Sequence, residues 1–260
     1  MSEKEISHRS PHSDVVIIPT YNERENIEAV IDAVLSLDGG FDVLVVDDNS
    51  PDGTASLVRG VMERHPGRVD LLCRQGKQGL GTAYLAGFAR VLDRGYGRIY
   101  EMDADFSHNP ADLPRLRAAL EGKADVAVGS RYCNGVNVVN WPMGRVLMSY
   151  FASKYVRMVT GIPVHDTTAG FVGYRADVLR TIGLGTIRFK GYAFQIEMKF
   201  KAYKGGFRVE EVPIVFTNRV LGTSKMNSGI FGEAMFGVLQ LRWESLFKKY
   251  PQKAASGTER

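Results

Sequence analysis

The feature that most constrains this chain is the alternation of short apolar runs with stretches of helical periodicity. Val15-Val16-Ile17-Ile18, Val43-Leu44-Val45-Val46, Val69–Cys73, Arg98–Met102 and Asp125–Val128 read as strands. Ile27, Val30, Ile31, Val34 and Leu35 recur at helical spacing, and further helices are expected from about Thr54 to Arg64 and over Thr82–Leu92. Strands that are apolar throughout need cover on both faces. The pattern therefore predicts an α/β fold, a mostly parallel sheet flanked by helices. Pro19 is expected to stop the first strand, and Asn22 with Glu25 reads as a capping box that starts the first helix.

Composition narrows the classes. Lys and Arg number 33 against 29 Asp and Glu, a formal charge of +4, with 44% hydrophobic and 24% charged residues. That is an ordinary globular balance. Two cysteines, Cys73 and Cys133, exclude a disulfide scaffold and a four-thiolate zinc site, and make a reducing cytosol the expectation. No uninterrupted apolar run reaches the ~18 residues of a membrane span. Met1–Ser13 is polar and lacks the apolar core of a signal peptide. One domain is expected over residues 14–250, with disordered ends at 1–13 and 251–260. A pI near 9.0 mildly favours anionic partners, or serves solubility alone.

Sheets of this kind bind ligands at the carboxyl ends of their strands. Three strand ends carry polar clusters: Pro19–Glu23, Asp47–Gly53 and Asp103-Ala104-Asp105. In an extended segment residues i and i+2 point the same way, so Asp103 and Asp105 can converge on one hard cation, Mg²⁺ or Mn²⁺, completed by diphosphate oxygens. Asn49–Gly53 has turn composition. Of Asp47 and Asp48, one could accept hydrogen bonds from a nucleobase or ribose, with Tyr21 offering a flat face and Glu23 another acceptor. Gly76–Gly81 matches neither familiar phosphate-loop template. It leads into a helix, so Lys77 and backbone N–H groups could face an anion, or the loop is a plain turn.

Taken together, Pro19–Glu23 (PTYNE), Asp47–Thr54 (DDNSPDGT), Gly79–Tyr84 (GLGTAY), Asp103–Pro110 (DADFSHNP) and Gly129–Tyr132 (GSRY) resemble the polyprenyl-phosphate mannosyltransferases. These are the dolichol-phosphate mannose synthases and their bacterial counterparts, within the inverting family 2 glycosyltransferases. The likeness runs over about residues 14–247. It implies a GT-A (Rossmann-like) fold, with amphipathic helices near the lipid acceptor site. It also implies transfer of mannose from GDP-mannose to a polyprenyl or dolichyl phosphate, with inversion. By position, Pro19, Tyr21, Glu23, Val46 and Asp48 would form the guanosine pocket. Asp103 and Asp105 would hold the metal, Ser107 standing where some relatives place a further ligand. Ala104, Arg131, Arg219 and Lys225 would complete the donor site, the last two on a loop closing over the diphosphate. Arg131, Arg145 and Ser149 would hold the acceptor phosphate and, with Asp105, carry the catalysis.

A phosphate monoester is already largely dianionic at neutral pH, so such an acceptor needs positioning rather than a general base. The sequence agrees: His165-Asp166 reads best as a structural turn, although Asp166 matches a family position, and His108 as a capping or packing residue. Asp103 and Asp105, on one segment, serve one ion and not the two faces of a sugar. The lipid acceptor implies contact with a bilayer. Trp141–Met158 and Ile230–Tyr250 both carry aromatic, Met and Leu residues with basic neighbours, a pattern shared by interfacial helices and by plain core. The expected location is cytoplasmic, peripheral on the cytoplasmic face of a membrane, with any stable anchor either supplied from elsewhere, as by a membrane-anchoring partner protein, or not needed. The alternatives are a glucosyltransferase or another nucleotide-sugar transferase on the same framework, or a non-catalytic protein that binds anionic lipid. Nucleic acid is not an expected partner.

Overall fold

The computed structural model describes Ser10, residues 13–218 and residues 229–254. In chain order the elements are β1 (Asp14–Thr20), α1 (Ile27–Leu35), β2 (Phe41–Asp47), α2 (Thr54–Arg64), β3 (Val69–Cys73) and α3 (Leu80–Asp93). There follow β4 (Arg98–Glu101), α4 (Leu113–Glu121), β5 (Val126–Ser130), β6 (Val138–Val139) and α5 (Met143–Thr160). The last are β7 (Val172–Arg175), α6 (Ala176–Thr181), α7 (Tyr192–Lys204), β8 (Val209–Pro213), β9 (Phe216–Thr217) and α8 (Gly229–Glu244).

Seven strands form one sheet in the order β3-β2-β1-β4-β7-β5-β8. All neighbours pair in parallel except β7, which runs antiparallel to both β4 and β5. Because β7 is reversed against each of them, β4 and β5 point the same way. The ends of β1, β2, β3, β4, β5 and β8 thus share one rim. A small parallel pair, β6 with β9, lies apart from the main sheet.

The apolar runs are as buried as their composition demands. Val16, Ile17, Ile18, Val45 and Val46 have no exposed surface. Alternate residues of β1 feed two cores: Val15 and Ile17 pack toward α3 and α7, and Val16 and Ile18 toward α1, α2 and α4. Ile27, Val30, Ile31 and Val34 form the buried stripe of α1.

Three expectations need correction. Pro19 does not stop β1, which runs on to Thr20. Met102 N donates to the Ile17 carbonyl and Asp48 N to the Thr20 carbonyl, so Pro19 faces the β4 side, past the end of β4, where no donor is needed. The Asn22/Glu25 capping box is absent. Asn22 adopts left-handed backbone (φ 57°), and α1 begins only at Ile27. The tail expected to be disordered from 251 is tied down at first. Gln252 donates to the Lys204 carbonyl, and Lys253 pairs with buried Asp125 at 2.8 Å. Residues 255–260 and 1–9 lie outside the described residues.

Helix α3 crosses the sheet closely at Gly87, where a Cβ would come within 2.8 Å of Ile17 and 3.3 Å of Val46. Gly60, inside α2, has no atom within 4 Å of such a Cβ. Gly87→Ala is therefore expected to destabilise the fold by about 1–3 kcal/mol through overpacking. Gly60→Ala is expected to stabilise it by about 0.5–1 kcal/mol. Urea denaturation midpoints of the two variants check both signs.

Candidate active site

The site is built on the shared rim. At the ends of β1 and β2, side chains stitch two loops together. Asn22 N donates to Ser50 Oγ, Glu23 N to Thr54 Oγ1 and Arg24 N to Asp52 Oδ2. Asp47 accepts from Thr20 Oγ1, Ser50 N and Ser50 Oγ. The turn reading of Asn49–Gly53 thus holds, and Asp47 serves that turn. Asp48 instead meets Arg74 in a bidentate pair at 2.6 and 3.0 Å, and Arg74 also donates to Thr82. Both side chains are more than nine-tenths buried. Tyr21 is half-buried, with the Lys77 ammonium 5.2 Å from its ring centre. Pro19 and Glu23 are also half-buried, whereas Val46 is fully buried beneath α3 and contributes no surface. In the glycine loop, the Gly81 N–H already donates to the Lys190 carbonyl.

Beyond β4 the chain does not stay extended. Residues 104–107 turn, with Phe106 in the left-handed region at φ 58°, a strained conformation for an aromatic residue. Asp103 and Asp105 therefore share a tight turn, not one face of a strand. Asp105 is buried and accepts from Ser107 N at 3.0 Å, and the Asp103 side chain is 39% exposed. Ser107 is buried, its carbonyl accepting from Thr217 N. His108 Nδ1 accepts from Asp103 N at 3.1 Å, and its ring stacks on Phe171. Burial pushes its pKa down, so the ring is neutral and holds the turn, the packing role expected for it.

Arg131, after β5, is clamped by Asp166. Its Nε and Nη2 reach the two carboxylate oxygens at 2.6 Å each, its backbone N reaches Oδ2 at 3.0 Å, and Nη2 also meets Thr168. Burial alone would raise the Asp166 pKa. The Arg131 charge and its hydrogen bonds outweigh that and hold the carboxyl below its usual 3.8. Glu211 anchors the same segment, accepting from His165 N and Asp166 N. Asp166 is thus committed to Arg131, in keeping with the turn reading, and the exposed His165 ring pairs with Glu211 at 2.7 Å. The Arg131 guanidinium lies 5.2 Å from the Tyr132 ring and 5.4 Å from Trp141, and Arg145 lies 3.9 Å over the same indole. Ser149, one turn further along α5, interacts with Tyr132. Phe216 joins the two halves, touching both Trp141 and His108. The rim therefore gathers Tyr21, Asp48, Asp103, Asp105, Arg131, Arg145 and Ser149. Arg219 and Lys225 fall outside the described residues, just after Asn218, which accepts from Arg145.

Residues 15–183 match the family model described as glycosyl transferase family 2. The chain belongs to that family. This family 2 glycosyltransferase is 47% identical over 232 residues to a polyprenol monophosphomannose synthase of Mycolicibacterium smegmatis, covering 89% of this chain and 88% of the relative. It is also 47% identical over 236 residues to an undecaprenyl-phosphate mannosyltransferase of Micrococcus luteus, covering 89% and 96%. Among solved structures, glucosyl-3-phosphoglycerate synthase from Mycobacterium tuberculosis, with Mn²⁺, UDP and glucosyl-3-phosphoglycerate, aligns at a TM-score of 0.66. The two share 17% identity, over 89% of this chain and 80% of that one, and the likeness is one of fold. The expected GT-A architecture is borne out.

Sequence reasoning missed four features of the glycosyltransferase. Arg74 was unread because its partner lies 26 residues away. Trp141 was read as part of a lipid-facing segment, not as a platform for two arginines. Glu211 gave no signal. Beneath the rim, Glu101, Gln195 and Lys199 are buried together on β4 and α7. Burial raises Glu101 to about 8 and lowers Lys199 to about 8, each opposed by the other's charge.

Removing the Asp166 charge tests the clamp. Asp166→Asn leaves Arg131 buried without its counter-charge and is expected to cost about 3–5 kcal/mol near neutral pH. Because the folded-state pKa is depressed, that contribution is present above the ordinary 3.8 and is lost as pH falls through the folded value. Urea unfolding as a function of pH is expected to show wild type and variant converging in acid.

Proposed function

We propose that this enzyme transfers mannose from GDP-mannose to a polyprenyl phosphate, with inversion at the sugar carbon. The observation that carries the reading is the 47% identity, over nearly the whole chain, to two lipid-phosphate mannosyltransferases. An acidic turn facing a pair of arginines across one aromatic wall supports it. In this reading Tyr21, Glu23 and Asp48 receive the guanosine, and Arg74 fixes the Asp48 carboxylate.

Asp103 and Asp105 would hold Mg²⁺ or Mn²⁺. Among the described residues no group of three His, Cys, Asp or Glu could hold a metal. The two carboxylates on one turn are hard oxygen donors of the kind such an ion takes, and diphosphate oxygens and water would have to complete its shell. The ion would supply charge stabilisation to the departing diphosphate. Arg219 and Lys225 would close over the same group. On the other side Arg131 and Arg145, with Ser149, would receive the acceptor phosphate by charge-assisted hydrogen bonds. An acceptor oxygen attacks the anomeric carbon opposite the diphosphate, and that C–O bond breaks as the new one forms. The bonding pair leaves with GDP, and no proton has to be removed. Asp166, spent on Arg131, agrees with chemistry that needs no base.

The lipid end of the acceptor calls for an apolar surface. No described helix is long and apolar enough to cross a membrane. Helices α5 and α8 bury Val156, Val238 and Leu241 in the core, yet expose Met143, Phe151, Met158, Phe236 and Trp243, and the turn after α8 exposes Phe247. Lys154, Lys248 and Lys249 are exposed alongside them. Surplus apolar side chains with basic neighbours fit the headgroup region of an anionic leaflet. We place the enzyme on the cytoplasmic face, with or without a membrane-anchoring partner.

Purified protein given polyprenyl phosphate, Mg²⁺ or Mn²⁺, and GDP-mannose, GDP-glucose or UDP-glucose in parallel is expected to form glycolipid from GDP-mannose alone, read by mass spectrometry. Product from a glucose donor only would overturn the mannose assignment. Arg131→Ala is expected to lower turnover about 100-fold or more, as for loss of one preorganised charge-binding donor. In liposome flotation the wild type is expected to rise with anionic vesicles and Trp243→Ser/Phe247→Ser to stay largely below. Equal flotation of the two would remove the end of α8 and the turn after it from the membrane contact.

A further inference from the structure

Burying an amine in an apolar interior is costly unless every proton finds an acceptor. Lys199 on α7 is fully buried, and its Nζ donates to the Ala169 carbonyl at 2.7 Å, to Gln195 Oε1 at 3.2 Å and to the Gln195 carbonyl at 3.3 Å. Gln195 in turn donates from Nε2 to Glu101 Oε2 at 2.7 Å, between two buried side chains. The chain of bonds therefore runs Glu101, Gln195, Lys199, Ala169. Its ends are informative. Glu101 is the last residue of β4, two before Asp103 in the acidic turn. Ala169 lies three residues after Asp166, whose carboxylate clamps Arg131. The charged groups facing Lys199 come from both sides: Glu101 from the end of β4 before the acidic turn, and Asp166, Arg131 and Glu211 from the arginine clamp. A methionine or leucine would fill this core position without the desolvation cost. The Lys199 ammonium finds three acceptors, whereas Glu101 Oε1 is buried without a partner among the described residues, and bonds of this kind through the core tie together the elements they join.

We propose that Lys199 is a positioning residue that locks the turn carrying Asp103 and Asp105 to the segment that orients Arg131, and so sets the spacing between the departing diphosphate and the attacking phosphate. This deepens the lipid-phosphate transferase reading and rests on it. Neither Lys199 nor Gln195 touches substrate in this account. They act through the groups they hold, and in-line transfer is sensitive to such spacing.

The test is steady-state kinetics of wild type, Lys199→Met, Gln195→Met and the double variant. Donor and acceptor are varied separately, with thermal unfolding of each protein recorded. Both single variants are expected to lose about 10- to 100-fold in kcat, the range for residues that hold a functional group in place. The KM for GDP-mannose should change by less than kcat, since the guanosine loops lie outside the network and only the diphosphate end of the donor meets the acidic turn. The double variant should be no worse than the worse single, because both cut one chain of bonds. Wild-type kcat in Gln195→Met overturns the proposal, and does so even if Lys199→Met fails to fold. A loss that disappears when the assay is run well below the unfolding temperature also overturns it, since that is the signature of a merely structural role. Absence of glycolipid with the wild type overturns the transferase reading itself, and the inference falls with it.

Discussion

The pairing of Arg131 with Asp166 is the interaction on which the rim of this sheet depends. A parallel sheet sends the ends of its strands to one edge, and here that edge collects Asp48, Asp103 and Asp105 on one side and Arg131 and Arg145 on the other. Charges set at the lip of an apolar core are tolerated only when paired and hydrogen-bonded. Asp166, with no exposed surface, gives Arg131 two oxygens, and Glu211 fixes the backbone that presents them. Arg74 does the same for Asp48. The result is a rigid frame whose functional groups are held before any ligand arrives, which is the condition for electrostatic stabilisation at low reorganisation cost.

The aromatic residues carry the frame across the gap between the two halves. Trp141 lies under both Arg131 and Arg145, Phe216 packs on Trp141 and on His108, and His108 takes the Asp103 amide. The acidic turn and the arginine pair therefore share one wall, although the turn follows β4 and the arginines follow β5 and begin α5. The left-handed Phe106 belongs to the same account. A bulky residue persists in that conformation only where its surroundings over-determine it, and here the Asp105–Ser107 bond and the buried His108 supply the constraint. The segment ending at Asn218 is held at the same wall by Thr217 and by Arg145.

What the sequence made legible was whatever rests on local pattern. Wholly apolar runs announced the strands, polar clusters after them announced the rim, and the periodicity of Ile27 to Leu35 announced α1. What it hid depends on partners remote in the chain. Asn22 looked like a helix cap because its actual anchors, Ser50 and the φ of 57°, are tertiary facts. The parity argument assumed an extended segment, whereas Asp103 and Asp105 share a turn shaped by Ser107 and His108. Val46 was placed at the nucleotide by position, whereas the close crossing of α3 at Gly87 seals it into the core. Helix α7 was unread altogether, because Gln195, Glu197, Lys199 and Lys201 look like a solvated face and are all buried. Recognition of the five ordered motifs supplied what pattern could not, the expectation that the acidic turn and the arginines belong to one site.

The central claim is that one rim holds a donor diphosphate on its acidic side and an acceptor phosphate on its arginine side. A crystal structure of the enzyme with Mn²⁺, GDP and a short-chain polyprenyl phosphate tests it most directly. The account predicts Mn²⁺ coordinated by Asp103 and Asp105 together with diphosphate oxygens, and the acceptor phosphate hydrogen-bonded to Arg131 and Arg145. A metal bound without either aspartate, or an acceptor phosphate seated away from both arginines, would contradict it.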